Sequence, residues 1–340
     1  MTTQPALPQR LLERFAADAE DARRPFHSGA QLAAELGITR SAVWKAVTSL
    51  RDLGVEIEAL PRQGYRLAKP LTLLQSARVA AALPAAIKSR LHRGDCHWST
   101  QSTNALLLAR GLSQPGCFDY VTAEYQSAGR GRRGRTWLAP PGGAICLSWS
   151  WSFDVLPPQS GALSLAIGVS AVRALASCGV QGVSLKWPND LQVDGRKLGG
   201  ILIELKSESG GPALVVIGIG INVALSLKVS DCVAASGTTA ADLWTLGARH
   251  IDRSALVAAL LAAGVDAVLQ FSREGLAPFL DEFRQADALR DREVVVMGVQ
   301  ETVHGTVSGV DTDGALLLAT AAGPRRFLSG EVSVRHTSRP

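Results

Sequence analysis

The sequence predicts an α+β protein of several domains: an N-terminal winged helix-turn-helix, a central mixed α/β domain and a small C-terminal β-barrel. Residues 7–67 give helical patterns followed by a strand hairpin, residues 71–286 mix helices with strands, and short strand patterns fill the chain after Glu293. The 340 residues also exceed the length at which one core usually divides, about 250–300 residues. We therefore expect domains over residues 1–68, 69–286 and 287–340.

The composition narrows the class of protein. The chain carries 35 Lys and Arg against 30 Asp and Glu, a net charge of +5, and 46% hydrophobic residues, which excludes a disordered or collagen-like chain. Its uncharged stretches are interrupted by Gly, Pro, Ser and Asn, so we expect none to supply the roughly 20 apolar residues of a membrane helix. Residues 1–9 lack the pattern of a secretory signal. These features predict a cytoplasmic protein with no membrane contact.

Cysteine and histidine spacing argues against disulfide and metal chemistry. The five cysteines are widely spaced and form no CxxC pair, as expected of reduced thiols that pack as small buried hydrophobes. The six histidines form no HxH or HExxH pair, so we expect no dedicated metal site.

The N-terminal segment has helix-turn-helix spacing. Ser28 can cap a helix that ends at Gly37, and Thr39 can cap a second helix over residues 40–53 with an apolar stripe. An alternating run over residues 55–60, a turn and the short run over residues 65–67 predict a two-stranded wing.

Polar and basic side chains lie away from that stripe and on the wing. Such groups can hydrogen-bond phosphates and base edges, so we predict DNA binding. A solvated face of a small packing domain remains an alternative, because acidic residues dilute the charge. The predicted DNA contacts are Arg40, Ser41, Trp44, Lys45, Thr48 and Arg62, with Arg51 and Arg66 nearby.

The remaining elements follow from hydrophobic periodicity. In the central domain the predicted strands are residues 121–126, 144–152, 184–187, 201–205 and 213–219, and the predicted helices are residues 104–110, 160–177 and 254–274. Asp194-Gly195 indicates a hairpin turn. In the C-terminal domain the predicted strands are residues 294–299, 303–310, 315–319, 325–328 and 332–335.

The segment Gly129-Arg-Gly-Arg-Arg-Gly-Arg135 concentrates four positive charges among three glycines. It satisfies GxGxxG and nearly matches a Walker loop, but both motifs require a helix to open next, and Trp137-Leu-Ala-Pro-Pro-Gly-Gly143 follows instead. A glycine backbone can approach a phosphate closely while arginines bond its oxygens. We therefore predict an anion site, with an exposed loop or a nucleic-acid contact as the alternative.

A lysine stands at the end of an apolar strand in Lys186-Trp-Pro-Asn-Asp190, beside a Pro-Asn turn. A compact ammonium there suits the charge that grows on the oxygens of a transferring phosphoryl group, although a surface hairpin would also explain the segment. Arg196-Lys-Leu-Gly-Gly200 adds charge and glycines.

Three weaker features complete the pattern. Ser102-Thr-Asn104 is a capping string that a helix start alone can explain. Gln126 ends a strand before the basic segment, where its amide could bind a polar ligand. Gly218-Ile-Gly-Ile-Asn222 ends a strand with glycines, which close packing would also explain.

Together these segments resemble the bifunctional biotin–protein ligase and biotin operon repressor family. The resemblance runs along nearly the whole chain and is strongest in the basic segment paired with Lys186-Trp-Pro-Asn-Asp190; the closing Ser329-Gly-Glu-Val-Ser333 also matches. Small departures are Ser127, a longer N-terminus and Trp149-Ser-Trp151. The resemblance implies a class II synthetase-like catalytic domain and an SH3-like C-terminal barrel.

The resemblance also implies the chemistry. Biotin and ATP, with Mg²⁺ carried by ATP, would give biotinyl-5′-AMP, and a lysine of the biotin carboxyl carrier protein would then take the biotinyl group. Biotinyl-AMP would also promote a homodimer that binds operator DNA and represses the biotin synthesis genes. The residues carried over are Ser102, Thr103 and Asn104 for biotin, Gln126 for its carboxylate side, Arg130, Gly131 and Arg132 for the adenylate phosphate, and Lys186 for carboxyl and phosphate, with Lys186 and Arg132 catalytic.

Two other functions fit parts of the sequence. A lipoate–protein ligase is thought to share the catalytic fold, although it normally lacks the N-terminal helix-turn-helix. A ligand-sensing transcription factor could bind an adenylate without transferring it.

Overall fold

The N-terminal domain forms around its own apolar core. The computed structural model describes residues 5–18, 25–207, 211–235, 237–297, 301–328 and 333–336. In this domain the elements are α1 (Leu7–Ala16), α2 (Gly29–Leu36), α3 (Arg40–Asp52), β1 (Ile57–Leu60) and β2 (Gly64–Leu67). The core is made by buried side chains from α1, α2, α3 and the wing.

The predicted caps hold the helices of this domain. The Ser28 hydroxyl accepts a hydrogen bond from Gln31 N at 3.1 Å, and the Thr39 hydroxyl accepts one from Ala42 N at 3.2 Å. Gly37, with φ of 65°, ends α2 in the left-handed conformation that favours glycine. The predicted winged helix-turn-helix is therefore confirmed, with β1 starting at Ile57 rather than at residue 55.

The central domain is built on one seven-stranded sheet. Its elements are α4 (Ser76–Ala82), α5 (Ala85–Lys88), β3 (Leu91–Thr100), α6 (Thr103–Arg110), β4 (Phe118–Gln126), β5 (Ala144–Phe153), α7 (Leu163–Ser177), β6 (Ser184–Lys186), β7 (Asp190–Val193), β8 (Arg196–Ser207), β9 (Ala213–Asn222), α8 (Leu227–Ala235), α9 (Arg253–Glu274) and α10 (Leu280–Ala286). The strand order is β3-β4-β5-β9-β8-β7-β6, with β3 and β4 parallel and the other neighbours antiparallel. This agrees with the predicted mixed α/β domain.

Several elements differ from the predictions. The helix expected over residues 160–177 begins as a 3-10 turn, Ser160–Ala162, before α7. β8 includes Arg196 to Gly200, which we expected to flank a shorter strand, because β7 pairs with it across the Asp194-Gly195 turn. Both turn residues have positive φ, 50° and 73°, as a type I′ hairpin requires. The short helices α4, α5, α8 and α10 were not predicted.

The sequence was expected to contain no segment long and apolar enough to cross a membrane, and by length and composition this expectation is wrong. Residues 160–177 and 253–274 are long and apolar enough to pass that test. In the structure 61% of each apolar window is buried inside the protein. Their hydrophobicity is that of core helices, and they are weak evidence for a membrane segment.

The C-terminal domain is a five-stranded antiparallel sheet. Its strands are β10 (Glu293–Met297), β11 (Thr302–Val310), β12 (Leu316–Thr320), β13 (Gly323–Phe327) and β14 (Ser333–His336), in the order β13-β12-β11-β10-β14. All five predicted strands are present, with ends that differ by at most two residues; residues 298, 299 and 332 of the predicted strands lie outside the described residues. Residues 329–332 of the closing family motif lie outside the described residues.

Buried contacts join the central domain to the C-terminal domain and to the linker after the wing. The Trp187 indole N–H donates to the Gly314 carbonyl at 3.0 Å, which joins the Pro-Asn turn to the C-terminal sheet. A buried ion pair between Arg253 and Glu124, 2.7 Å apart, also binds the linker after the wing: Arg253 donates to Thr72 O, and Glu124 accepts from Leu74 N. The proposed domain boundaries fall between β2 and α4 and between α10 and β10.

Candidate active site

A single large cavity brings the predicted chemistry together. Its volume is about 1130 Å³, and residues of β5, β8 and β9 are among its lining. Every predicted substrate-binding residue lines it: Ser102, Thr103, Asn104, Gln126, Arg130, Gly131, Arg132 and Lys186. These residues come from four separate parts of the chain, so only the fold makes them neighbours.

One end of the cavity, which we term the polar end, is made by Ser102, Thr103, Asn104, Gln126 and Ser148. Ser102 is the N-cap of α6 and accepts from Ala105 N at 3.4 Å. The Gln126 side-chain oxygen accepts from the Thr103 amide at 2.8 Å and from its hydroxyl at 3.1 Å. The capping string is therefore buried and hydrogen-bonded to the strand that carries Gln126.

Ser148 and Asn104 extend the hydrogen bonds of this end. The Ser148 hydroxyl on β5 lies 2.7 Å from the Thr103 hydroxyl and 2.5 Å from Asn104 Oδ1. Asn104 Nδ2 donates to the Glu204 carboxylate at 2.8 Å and to Leu202 O at 3.3 Å. Gly218 faces this amide, since a Cβ there would lie 2.3 Å from Asn104 Oδ1. The glycine at 218 is thus explained by packing.

The basic segment folds back on itself as a loop. Gly131 N donates to Arg135 O at 2.7 Å, and Trp137 N donates to Gly129 O at 2.9 Å. A short 3-10 turn, Arg132–Gly134, stands where a dinucleotide or Walker motif would start a helix, and Arg133 has a φ of 57°. Gly129 allows the close approach, because a Cβ there would lie 2.4 Å from the Trp137 carbonyl oxygen. Rejection of both generic motifs is confirmed.

The other end, which we term the cationic end, is made by Arg132, Lys186 and Asn189. Lys186 is the last residue of β6, and the turn after it is fixed where Asn189 Nδ2 donates to Ile201 O at 2.8 Å. Arg132 reaches across from the loop and donates to Asn189 Oδ1 at 3.3 Å. Burial lowers the pKa of Arg132, and the neighbouring arginines add to this while Asp190 opposes it.

Positive charge dominates the cavity. Among the described lining residues, six are cationic, Arg130, Arg132, Arg133, Arg135, Lys186 and Lys197, and one is a carboxylate, Asp190. Lys197 is 2.7 Å from Asp190, so that carboxylate is already paired. The cavity therefore favours an anionic ligand.

Three parts of the chain match family models. The Biotin/lipoate A/B protein ligase family matches residues 96–222, an HTH domain matches residues 20–66, and the Biotin protein ligase C terminal domain matches residues 291–335. The Bifunctional ligase/repressor BirA of Escherichia coli strain K12 is 37% identical over 310 residues, which cover 91% of this chain and 93% of that protein. The chain belongs to the bifunctional ligase/repressor family. It is a biotin–protein ligase by family, with a DNA-binding helix-turn-helix domain.

Other relatives agree with this assignment. The Bifunctional ligase/repressor BirA of Bacillus subtilis strain 168 is 29% identical over 95% of this chain and 97% of its own length. The solved Biotin protein ligase from Aquifex aeolicus in complex with biotin and ATP superposes with a TM-score of 0.61 at 25% identity, covering 72% of this chain and 100% of that one. These relatives favour the biotin branch over the lipoate alternative.

The predicted DNA contacts of this ligase/repressor lie on α3 and at the wing turn. Arg40, Ser41, Trp44 and Lys45 are exposed, and Arg62 is exposed at the wing turn. Thr48 is half-buried and donates to Trp44 O at 3.0 Å. The two nearby arginines have structural contacts: Arg51 donates to Ile57 O, and Arg66 pairs with Glu58.

Several residues of the cavity carry little or no signal in the sequence. The Trp137 ring fills the space above Gly220, where a Cβ would lie 2.5 Å from it, and the glycines at 218 and 220 were the available signal. Ser148 has no signal in its sequence neighbourhood. Cys232 and Val233 of α8 also line the cavity.

The cysteines are less uniform than expected. All five are free, but only Cys146 is fully buried, and Cys232 is exposed. Burial raises the pKa of the Cys146 thiol to about 12, so it stays protonated beside the cavity.

Within the described residues, no group of three or more His, Cys, Asp or Glu side chains is arranged to hold a metal ion.

Proposed function

We propose that the protein makes biotinyl-5′-AMP from biotin and ATP and transfers the biotinyl group to a lysine of the biotin carboxyl carrier protein. The observation that carries the proposal is the cavity with a polar end and a cationic end. Biotin has a polar ureido group at one end and a carboxylate at the other, and ATP is a polyanion. One cavity thus suits both substrates.

The positions of the two ends give the residues their proposed roles. The polar end receives the ureido group, which needs buried hydrogen-bonding partners. The biotin carboxylate then points toward Lys186, where one of its oxygens attacks the α-phosphorus of ATP and pyrophosphate leaves. The Lys186 ammonium stabilises the negative charge that develops on these oxygens.

The structure separates two arginines that the sequence treated as one group. Arg132 lies at the cationic end beside Asn189, which suits contact with the adenylate phosphate. Arg130 lies 3.3 Å from Glu204, next to Asn104. We therefore assign Arg132 to the phosphate and Arg130 to the biotin side.

The second step needs an amine and an exposed carbonyl. The carrier lysine attacks the carbonyl of the mixed anhydride, AMP leaves, and an amide forms. Mg²⁺ enters with ATP as part of the substrate, because the described cavity lining offers one carboxylate, Asp190, which Lys197 already pairs. The triphosphate then supplies most of the ligands of this ion.

The direct test is ATP–pyrophosphate exchange that depends on biotin. Radiolabelled pyrophosphate should enter ATP when biotin is present and should not when lipoate replaces biotin. Exchange with lipoate would favour the other ligase branch, and exchange with neither acid would remove the proposed first step. Transfer of biotin to a purified carrier domain, measured by mass spectrometry, tests the second step. It also distinguishes the ligase from a sensor that only binds the adenylate.

We also propose that the protein represses transcription as a homodimer with biotinyl-AMP bound. One small winged domain makes few phosphate contacts, and two half-sites on a two-fold dimer give the affinities that operators need. Sedimentation equilibrium should show stronger dimerisation with biotinyl-AMP than without it. Equal monomer–dimer equilibrium constants with and without biotinyl-AMP would rule out ligand-controlled dimerisation and would not affect the proposed ligase activity.

The DNA face has its own test. Lys45→Ala removes one exposed cation of α3 from each protomer, so for a dimer on two half-sites the magnitude of the slope of log affinity against log salt should fall by about 2. Lys88→Ala, an exposed lysine of α5 in the central domain, is the matched control and should leave the slope unchanged. An unchanged slope for Lys45→Ala would place the contact elsewhere.

A further inference from the structure

Glu204 contacts two side chains of the cavity without lining it. One carboxylate oxygen accepts from Asn104 Nδ2 at 2.8 Å, and the other lies 3.3 Å from Arg130 Nη1. Asn104 and Arg130 both line the cavity. Any effect of Glu204 on a ligand is therefore transmitted through these two residues.

The carboxylate fixes the orientation of the Asn104 amide. A carboxylate only accepts, so the amide nitrogen faces Glu204 and Leu202 O, and Oδ1 faces the Ser148 hydroxyl at 2.5 Å. The opposite orientation would place Oδ1 against a negative charge. Glu204 thereby fixes Asn104 Oδ1 as the acceptor of the Ser148 hydroxyl.

The second oxygen holds Arg130 at the polar end. Arg130 is 45% exposed, so this ion pair is screened by water and contributes little energy alone. Its effect is geometric. Asn189, which binds Arg132, is hydrogen-bonded to Ile201, and Glu204 stands three residues further along β8, a distance of about 10 Å. The strand therefore holds the two arginines apart.

We propose that Glu204 is a positioning residue for biotin, which orients the Asn104 amide and keeps Arg130 beside it. The inference rests on the proposed ligase function and deepens it. Because Glu204 acts on the polar end, its loss lowers the affinity for biotin and leaves the affinity for ATP and the turnover of saturated enzyme nearly unchanged.

Two variants separate the two contacts of Glu204. Glu204→Gln keeps an acceptor for Asn104 and removes the charge that attracts Arg130, so the KM for biotin should rise about two- to threefold. Glu204→Ala removes both contacts, and the KM should rise about tenfold, as on loss of one charge-assisted hydrogen bond. In both variants kcat and the KM for ATP should stay within about twofold of the unmodified protein. The matched control is Glu282→Gln, which breaks a surface pair with Arg173 away from the cavity.

The measurements are biotin-dependent pyrophosphate exchange and calorimetric titration with biotin. If the unmodified protein shows no exchange, the proposed function fails. If it exchanges and both Glu204 variants keep their affinity for biotin, the positioning role is overturned. A fall in kcat with an unchanged KM for biotin would also overturn it.

A double-mutant cycle keeps the test sharp even if Glu204→Ala does not fold. Glu204→Gln should have no further effect on biotin affinity in an Arg130→Ala background, because its lost contact no longer exists there. An effect that persists at full size in that background contradicts the route through Arg130.

Discussion

The two ends of the cavity are held by different kinds of structure. The polar end is made by buried side chains at the start of α6 and on β5 and by the half-buried Gln126 of β4, which hydrogen-bond one another. The cationic end depends on a glycine-rich loop and on the turn after β6. A neutral ureido group needs fixed partners, whereas a phosphate carries enough charge to order the groups that bind it. The difference suggests that this site is preformed for biotin and completed by the adenylate.

The largest effect should come from the cationic end. Lys186→Ala removes a charge aimed at the reacting oxygens, so the rate of adenylate formation in a single turnover should fall by a factor on the order of 10²–10³. Lys88→Ala serves again as the control. A change smaller than about fivefold at Lys186 would remove it from the chemistry and weaken the assignment of this end.

Arg132 should govern retention of the intermediate. A charge-assisted hydrogen bond contributes roughly 1.5–3 kcal/mol, so biotinyl-AMP should leave Arg132→Ala about 10–150 times faster. The released adenylate should label proteins indiscriminately. Stopped-flow tryptophan fluorescence measures the release. Arg133→Ala, which removes an exposed neighbour, should change it far less, and equal effects would mean that the loop acts only through its total charge.

The polar end should respond through stability. Gly218→Ala places a Cβ 2.3 Å from Asn104 Oδ1, so the buried amide must move, and overpacking of this kind costs about 1–3 kcal/mol. The temperature of thermal unfolding should fall, and the KM for biotin should rise. Gly161→Ala is the control, because a Cβ there meets no atom within 4 Å. A variant as stable as the control would show that this end is looser than its hydrogen bonds suggest.

Local signals in the sequence account for the parts of the site that depend on short-range geometry. The capping serine at 102, the strand-end lysine at 186 and the Asp194-Gly195 turn each follow from rules about a few neighbouring residues. The family resemblance supplied their ligand. The rest depended on long-range pairing: Asn104 meets a carboxylate 100 residues away, and Ser148 meets the capping string only because β5 lies beside β4.

The short helices show the same limit. α8 carries Cys232 and Val233 to the cavity, yet its nine residues have too weak a period to separate it from the surrounding turns. The long helices α7 and α9 show a related limit, because they are apolar enough to resemble membrane segments. Only their packing in the protein core distinguishes a core helix from a membrane helix.

Amide hydrogen exchange tests the comparison between the two ends most directly. Peptides covering residues 129–136 and residues 144–149 should be followed with and without biotinyl-AMP. The account predicts that the basic loop exchanges quickly in the free protein and becomes protected with the adenylate, whereas the β5 segment exchanges slowly in both states because its amides lie in a central strand. A loop already protected without ligand, or an equal gain of protection in both segments, would contradict the account.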